Sequence, residues 1–255
     1  MKGLMIKDLM CLRKQLVIYL YVVVSVLILS VMFVLSAKYG NIALGGQEMM
    51  QENGMTYTDI KNLSTWVLGI FLLLPIATVS DAATIFIEDG KAGFSTVSAS
   101  LPLSVKQRIL AKYLTVLTMF GISVATEIVI ITVLSVLTDI VSFTQFFGMM
   151  VSCASLMSIY SALVIVFCFI YGHGKEDFAI ISSVALMVFT AVLCNIRSFK
   201  QLFLVQSDTH SVQAFDAFIK FFQQKFYILF LFAVLTMAVS YVVSVWIAGR
   251  KRGVI

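Results

Sequence analysis

Side chains able to do chemistry are few in this 255-residue chain, and their spacing excludes most of what they could do. The two histidines, His173 and His210, are far apart and fall on opposite sides of the membrane in the layout derived below, so they cannot share a metal. Cys11, Cys153, Cys168 and Cys194 are scattered, three of them in apolar runs, without a CxxC pair. Metal ligation and thiol exchange therefore lack the spacing they need, and a cysteine in an apolar run packs as a small hydrophobe. There is no GxSxG, HExxH, GxxxxGK[ST] or dinucleotide-binding glycine pattern. Gly172–Lys175 is too short to cradle a phosphate and reads as a turn. No catalytic residue and no metal ligand is assigned. A chain of this kind cannot hydrolyse a nucleotide unaided, so active transport through it needs a gradient or a partner.

Two acids lie in or beside long apolar runs. Glu127 is well inside one, with Ser123, Thr126 and Ile130 close on the helical wheel. An acid at membrane depth costs at least about 2.5–3.5 kcal/mol, so it must face the bundle interior, a partner or water. Two readings stand side by side. Glu127 either contacts a cationic substrate or gates its path, or it is a neutral, hydrogen-bonded group that fixes helix packing. Asp81 is near the inner end of its run, where reaching the headgroups is cheap.

The elements that carry these residues follow from composition. Hydrophobic residues make up 60% of the chain and charged residues 12%, with a mean hydropathy of +1.02. A soluble domain carries about a quarter charged residues, and a chain this short cannot bury so much apolar surface from water. Soluble enzyme, disulfide scaffold and disordered tail are excluded in favour of an all-α integral membrane protein. Its two prolines suit long helices whose backbone groups lipid cannot satisfy. The net charge of +5 fits basic residues at the inner ends of spans and beside anionic membrane lipid, not nucleic acid.

Uncharged stretches of about 20 residues mark six spans, at 16–37, 62–87, 109–138, 146–171, 178–196 and 226–249. Together they form one transmembrane domain over 1–255. With the N-terminus inside, the outer segments hold Lys38, Lys61, Arg197, Lys200, Lys220 and Lys225, leaving 12 of the 18 basic residues inside. The positive-inside rule then puts both termini in the cytoplasm. Pro75 falls in the second span and is expected to kink it. Ser152, Ser155, Ser158 and Ser161 line the fourth span at steps of three, a strip that lets another helix approach closely.

Three segments outside the spans have a readable character. Met5, Leu9, Leu12 and Leu16 form a helical stripe, so residues 1–15 read as an interfacial helix on the inner leaflet. Phe215, Phe218 and Phe222 repeat at helical spacing in the outer segment 197–225, giving an amphipathic hairpin that could serve as a gate or simply lie on the surface. The loop 88–112 is cytoplasmic and long. Gly90 and Gly93 break the preceding helix, Pro102 disfavours helix at Leu101, and Ser104 with Gln107 makes a capping box. It reads as a docking surface for a partner or as a plain connection.

The start MKGLMIKDLMCLRKQL and the segment ASLPLSVKQRILAKYL together resemble the ABC-2 type permeases, in their short six-span branch. The second segment presents Leu101, Pro102, Leu103 and Ser104 as the turn and Lys112 and Tyr113 at membrane entry. Within that branch the chain looks most similar to permeases that export phenol-soluble modulins and other amphipathic peptides from Gram-positive bacteria, a setting of antimicrobial-peptide resistance. The resemblance implies a homodimer, or a heterodimer with a related permease, with two copies of a separate ABC ATPase subunit. It implies that ATP and magnesium are bound by that partner and that this chain binds no cofactor. It places ATPase coupling at Glu88, Asp89, Lys91, Phe94, Leu101, Pro102, Leu103 and Ser104, with a second cytoplasmic contact at Lys175, Glu176 and Asp177. A drug or lipid remains an alternative substrate. A secondary transporter and a non-transporting immunity or sensor subunit are alternatives of other classes.

The charge bias generates a direct test. Single cysteines at Lys2 or Arg252 are expected to be shielded from an impermeant thiol reagent applied to intact cells, whereas one at Asn53 is expected to label.

Overall fold

The computed structural model describes residues 2–39, 57–79, 82–91, 104–137, 142–172, 174–194 and 225–250. All regular structure among them is α-helical. In chain order the helices are α1 (Lys2–Cys11), α2 (Arg13–Tyr39), α3 (Tyr57–Val79), α4 (Ala83–Lys91), α5 (Val105–Leu137), α6 (Phe143–Tyr171), α7 (Glu176–Cys194) and α8 (Phe226–Arg250). Among the described residues five stretches are long and apolar enough to cross a membrane: Arg13–Ser36, Val67–Lys91, Val105–Leu137, Phe146–Tyr171 and Phe226–Arg250. The second covers parts of both α3 and α4, so the expected span at 62–87 is built from two helices. The expected span at 178–196 forms α7, which is not one of those five. Pro75 lies buried within α3.

Helix α6 sits at the centre, packed against α3, α4, α5, α7 and α8. Its serine strip explains the fit. Ser152, Ser155 and Ser161 are buried and Ser158 is half-buried, so the small side chains are spent on contacts within the chain. Ser155 and Ser161 donate to the carbonyls of Val151 and Met157, returning their own hydroxyls to the helix backbone. Long apolar side chains face outward instead, among them Tyr21 and Met32 on α2, Val129 on α5, Phe189 on α7 and Leu231 on α8. So broad an apolar exterior suits lipid and not water.

Contacts between distant helices set their directions. Phe147 meets Phe226 edge-on at 6.1 Å, and further along the same pair Ser240 donates to the carbonyl of Ala162 at 2.7 Å. Helices α6 and α8 are therefore parallel. Lys7 and Lys112 both hold Asp89, and Tyr19 bonds Thr126. Those two levels are about 18 Å apart along α1–α2 and about 21 Å apart along α5 at 1.5 Å per residue, so α1–α2 and α5 are parallel too. The helical hydrogen bonds Leu12 N to Asp8 O and Leu16 N to Leu12 O bridge the junction of α1 and α2. The stripe expected to face the leaflet is turned toward protein: Leu12 is buried and Leu9 and Leu16 pack on the core, while Ile6 and Met10 are exposed.

Tyr113 ties three helices together. Its hydroxyl bonds Ser240 and lies 3.1 Å from Ser244, both on α8, and Ser240 passes its own proton to Ala162 on α6. With Ser240 donating onward, Tyr113 must donate to Ser240 and accept from Ser244. The group is buried throughout. Hydrogen bonds between membrane helices are worth about 0.6 kcal/mol on average and up to about 1.7. Tyr113→Phe is expected to lower stability by about 1 kcal/mol in detergent unfolding, with Ser244→Ala smaller than that.

Candidate functional site

One end of the bundle gathers the ionic groups. Asp89, at the end of α4, is buried between Lys7 of α1 and Lys112 of α5. Lys7 also lies 2.7 Å from Asp8, itself buried, so two ammonium groups and two carboxylates form a neutral cluster. Burial alone would lower the pKa of Lys7, but the carboxylates of Asp8 and Asp89 outweigh it and hold the ammonium above its ordinary value. The cation is thus fully present at neutral pH. Lys112 additionally sits over the Phe86 ring at 4.5 Å, a cation–π contact.

The same end holds the other polar features. Ser104 caps α5 as its spacing predicts: Gln107 N donates to Ser104 Oγ at 3.3 Å, and Ser104 N donates to Gln107 Oε1 at 3.1 Å. Phe86 of α4 meets Phe169 near the end of α6 edge-on at 5.4 Å. Beyond it Gly172 and Gly174, with φ of 81° and 80°, make the tight turn into α7 in a conformation that other residues resist. Gly174 N donates to Glu176 Oε1 at 3.0 Å. Arg250 closes α8 by stacking on Trp246 at 3.8 Å. Because Tyr113 lies next to Lys112 and bonds Ser240 and Ser244, the end of α8 belongs at this level as well.

The residues expected to couple to a partner separate into two groups. Glu88 and Lys91 pair with each other at 2.9 Å on an open face, and Lys175 and Asp177 are exposed at the start of α7. Asp89 and Glu176 are buried and serve the fold at this end. Phe94, Leu101, Pro102 and Leu103 lie outside the described residues, as do the expected gate residues Phe215, Phe218 and Phe222 and the acid Asp81. The cluster of Lys7, Asp8 and Lys112 was not singled out by the sequence. Its partners are 82 and 23 residues apart, and no periodicity links them.

Within the membrane, Glu127 has no exposed surface, and neither carboxyl oxygen has a hydrogen-bond partner among the described residues. Ser123, one turn earlier on the same face, is likewise fully buried with an unpartnered hydroxyl. Cys153 of α6 is within electrostatic reach of the acid. The neighbouring Thr126 donates to the carbonyls of Ser123 and Ile122, at 2.8 and 3.2 Å, so the Tyr19 hydroxyl of α2 donates to it. Glu127 therefore faces the bundle interior, as its cost in lipid requires. Among the described residues no group of three or more His, Cys, Asp and Glu could hold a metal.

The cluster orders the effect of substitutions. Lys112→Met leaves both acids with Lys7, whereas Lys7→Met leaves buried Asp8 with no cation. Removing one partner of a buried ion pair costs about 3–5 kcal/mol. Thermal unfolding is expected to fall further for Lys7→Met than for Lys112→Met, and a Lys7/Asp89 double-mutant cycle is expected to show coupling of about 1 kcal/mol or more.

Comparison with known proteins gives the architecture a family. The model of the ABC-2 family transporter proteins matches residues 54–249, most of the chain. Comparisons with curated proteins and with solved structures give no match. The matched region runs from the start of α3 to the end of α8, through the capped start of α5 and the buried acid. The chain belongs to the ABC-2 family of transporter proteins and is a multi-pass membrane transporter subunit.

Proposed function

We propose that the chain is the permease subunit of an ATP-driven exporter that moves amphipathic peptides out of a bacterial cell. The family match carries the transporter part of this reading, since ABC-2 permeases work with an ABC ATPase and often with a second permease. The full assembly is two permease chains and two ATPase subunits, with ATP and magnesium held by the ATPase. The peptide substrate rests on the resemblance of MKGLMIKDLMCLRKQL and ASLPLSVKQRILAKYL to peptide-exporting permeases. A drug or lipid amphiphile is the alternative within the same fold.

Counting helix α7 brings the crossings to six in this reading. Parity supports it: the ion cluster on α1, the turn at Gly172 and the end of α8 share one level, which needs an even number of crossings. That level is the cytoplasmic one by the bias of basic residues, and it brings both ends of the described chain inside. The expected interfacial helix becomes a packed extension of α2 at that level, with Ile6 and Met10 toward the headgroups.

Mechanical work enters at the same level. Asp89 anchors the end of α4 to α1 and α5, so a force on the connection 92–103 is delivered to three helices at once. The open pair Glu88 and Lys91, together with Phe94 and Leu101, offers the ATPase charged and apolar contacts. Lys175 and Asp177 give it a second foothold. Phe94→Ala and Leu101→Asp are expected to weaken ATPase association or to uncouple hydrolysis from export by tenfold or more, with insertion and dimerisation retained. A cross-linking map that places the ATPase on another loop, with both variants exporting normally, contradicts the coupling surface.

A further inference from the structure

We propose that Ser123 and Glu127 form a subsite for a primary ammonium group, the lysine side chain or N-terminal amine of an amphipathic substrate. The proposal rests on the export reading and adds the chemistry that the pathway recognises.

Three acceptor atoms stand together without donors: Glu127 Oε1, Glu127 Oε2 and Ser123 Oγ. They lie one turn apart on a single face of α5, and both residues have no exposed surface. A carboxyl group left this way in a membrane is costly whichever state it takes. An anion lacks a counter-charge, and a neutral acid still leaves carboxyl lone pairs buried without a donor among the described residues. The arrangement is therefore complete only with a donor that the described chain does not supply.

The chemistry of the acceptors selects the donor. One carboxylate and one hydroxyl are too few for calcium, which takes six to eight oxygens, or for magnesium in its near-octahedral shell. An alkylammonium carries one positive charge and three N–H donors, matching one carboxylate charge and three vacant acceptor atoms. A quaternary ammonium has the charge without the donors, so the site discriminates between the two.

Access follows from the neighbouring residue. Thr126 accepts the hydrogen bond from Tyr19, and α2 touches α5 at few places beyond it. A route to the acid between α2 and α5 requires release of that bond. The described arrangement is the closed one, with the acceptors enclosed.

The test uses the full permease with its ATPase in phosphatidylcholine nanodiscs and radiolabelled n-dodecylammonium as probe, with binding to empty nanodiscs subtracted. Saturable binding is expected. Unlabelled dodecylammonium is expected to compete at least tenfold better than dodecyltrimethylammonium, and dodecanol is expected not to compete. Glu127→Gln, which keeps the shape, is expected to weaken binding at least tenfold, and Ser123→Ala about threefold. Equal competition by the two ammonium probes overturns the proposal, as does unchanged binding in Glu127→Gln. Loss of the dimer in Glu127→Gln also overturns it by assigning the acid to a subunit contact. Should Glu127→Gln fail to insert, the probe pair on the unaltered protein together with Ser123→Ala decides. Failure of the export reading looks different: the chain then neither associates with an ATPase nor alters its hydrolysis, whatever the amine binds.

Discussion

Lipid offers a polar group neither donor nor acceptor, and the interior of this bundle is arranged around that constraint. Serine and threonine hydroxyls at Thr115, Thr118, Ser155, Ser161 and Ser183 are turned back onto carbonyls of their own helices. Those that reach across helices do so in closed chains, as when Tyr113, Ser240 and the Ala162 carbonyl share protons in sequence. Asp89 obeys the same rule at one end of the bundle, where it is flanked by two ammonium groups in a cluster that is neutral. Glu127 and Ser123 depart from this pattern: with Ser30 they are the groups of the apolar part of the bundle, among the described residues, whose buried side-chain oxygens have no hydrogen-bond partner.

Much of the scaffold was legible in the sequence for reasons that are local. A run of about twenty apolar residues must become a helix in lipid, and 109–138, 146–171 and 226–249 appear as α5, α6 and α8 within a few residues. The capping box at Ser104 and Gln107 needs only a spacing of three, and it formed as read. The acid at 127 stood out because an ionisable group in an apolar run is costly, whether its role is structural or functional. What stayed hidden depends on which helices are neighbours. Lys7, Asp89 and Lys112 come from three helices, and their charges looked like ordinary inner-end residues until the fold brought them together. Tyr113 and Ser240 are 127 residues apart and carry no mutual signal.

The stripe Met5–Leu9–Leu12–Leu16 shows the same limit in another form. Helical periodicity reports that one face is apolar, but not whether lipid or protein covers it. Here Asp8 decides the matter. It shares the helix with the stripe, and its burial beside Lys7 requires α1 to pack where Asp89 and Lys112 can complete the charge balance. A helix lying free on the leaflet would leave Asp8 to the anionic headgroups.

Helix α5 joins the two polar centres. Its 33 residues span about 50 Å, well beyond the roughly 30 Å hydrocarbon core. The surplus at its first turns carries the Ser104 cap and Lys112, and from Lys112 to Glu127 the rise is about 22 Å. No proline interrupts that stretch, so a displacement imposed at the cluster is carried along a continuous hydrogen-bonded rod to the buried acid. Helix α2 runs parallel to it, shares the cluster through α1, and touches it again through Tyr19 and Thr126, beside Glu127. Two parallel rods held at these points respond to a push in a restricted way: if the cluster holds, the separation of the rods is largest where the weaker tie gives. That weaker tie is one hydroxyl pair, against a network of charges below. If the ATPase pushes at the cluster, as proposed, opening falls at the level of the acid rather than at the level where force is applied. On the export reading, this lets hydrolysis at the cytoplasmic surface expose a site deep in the membrane without unlocking the inner end.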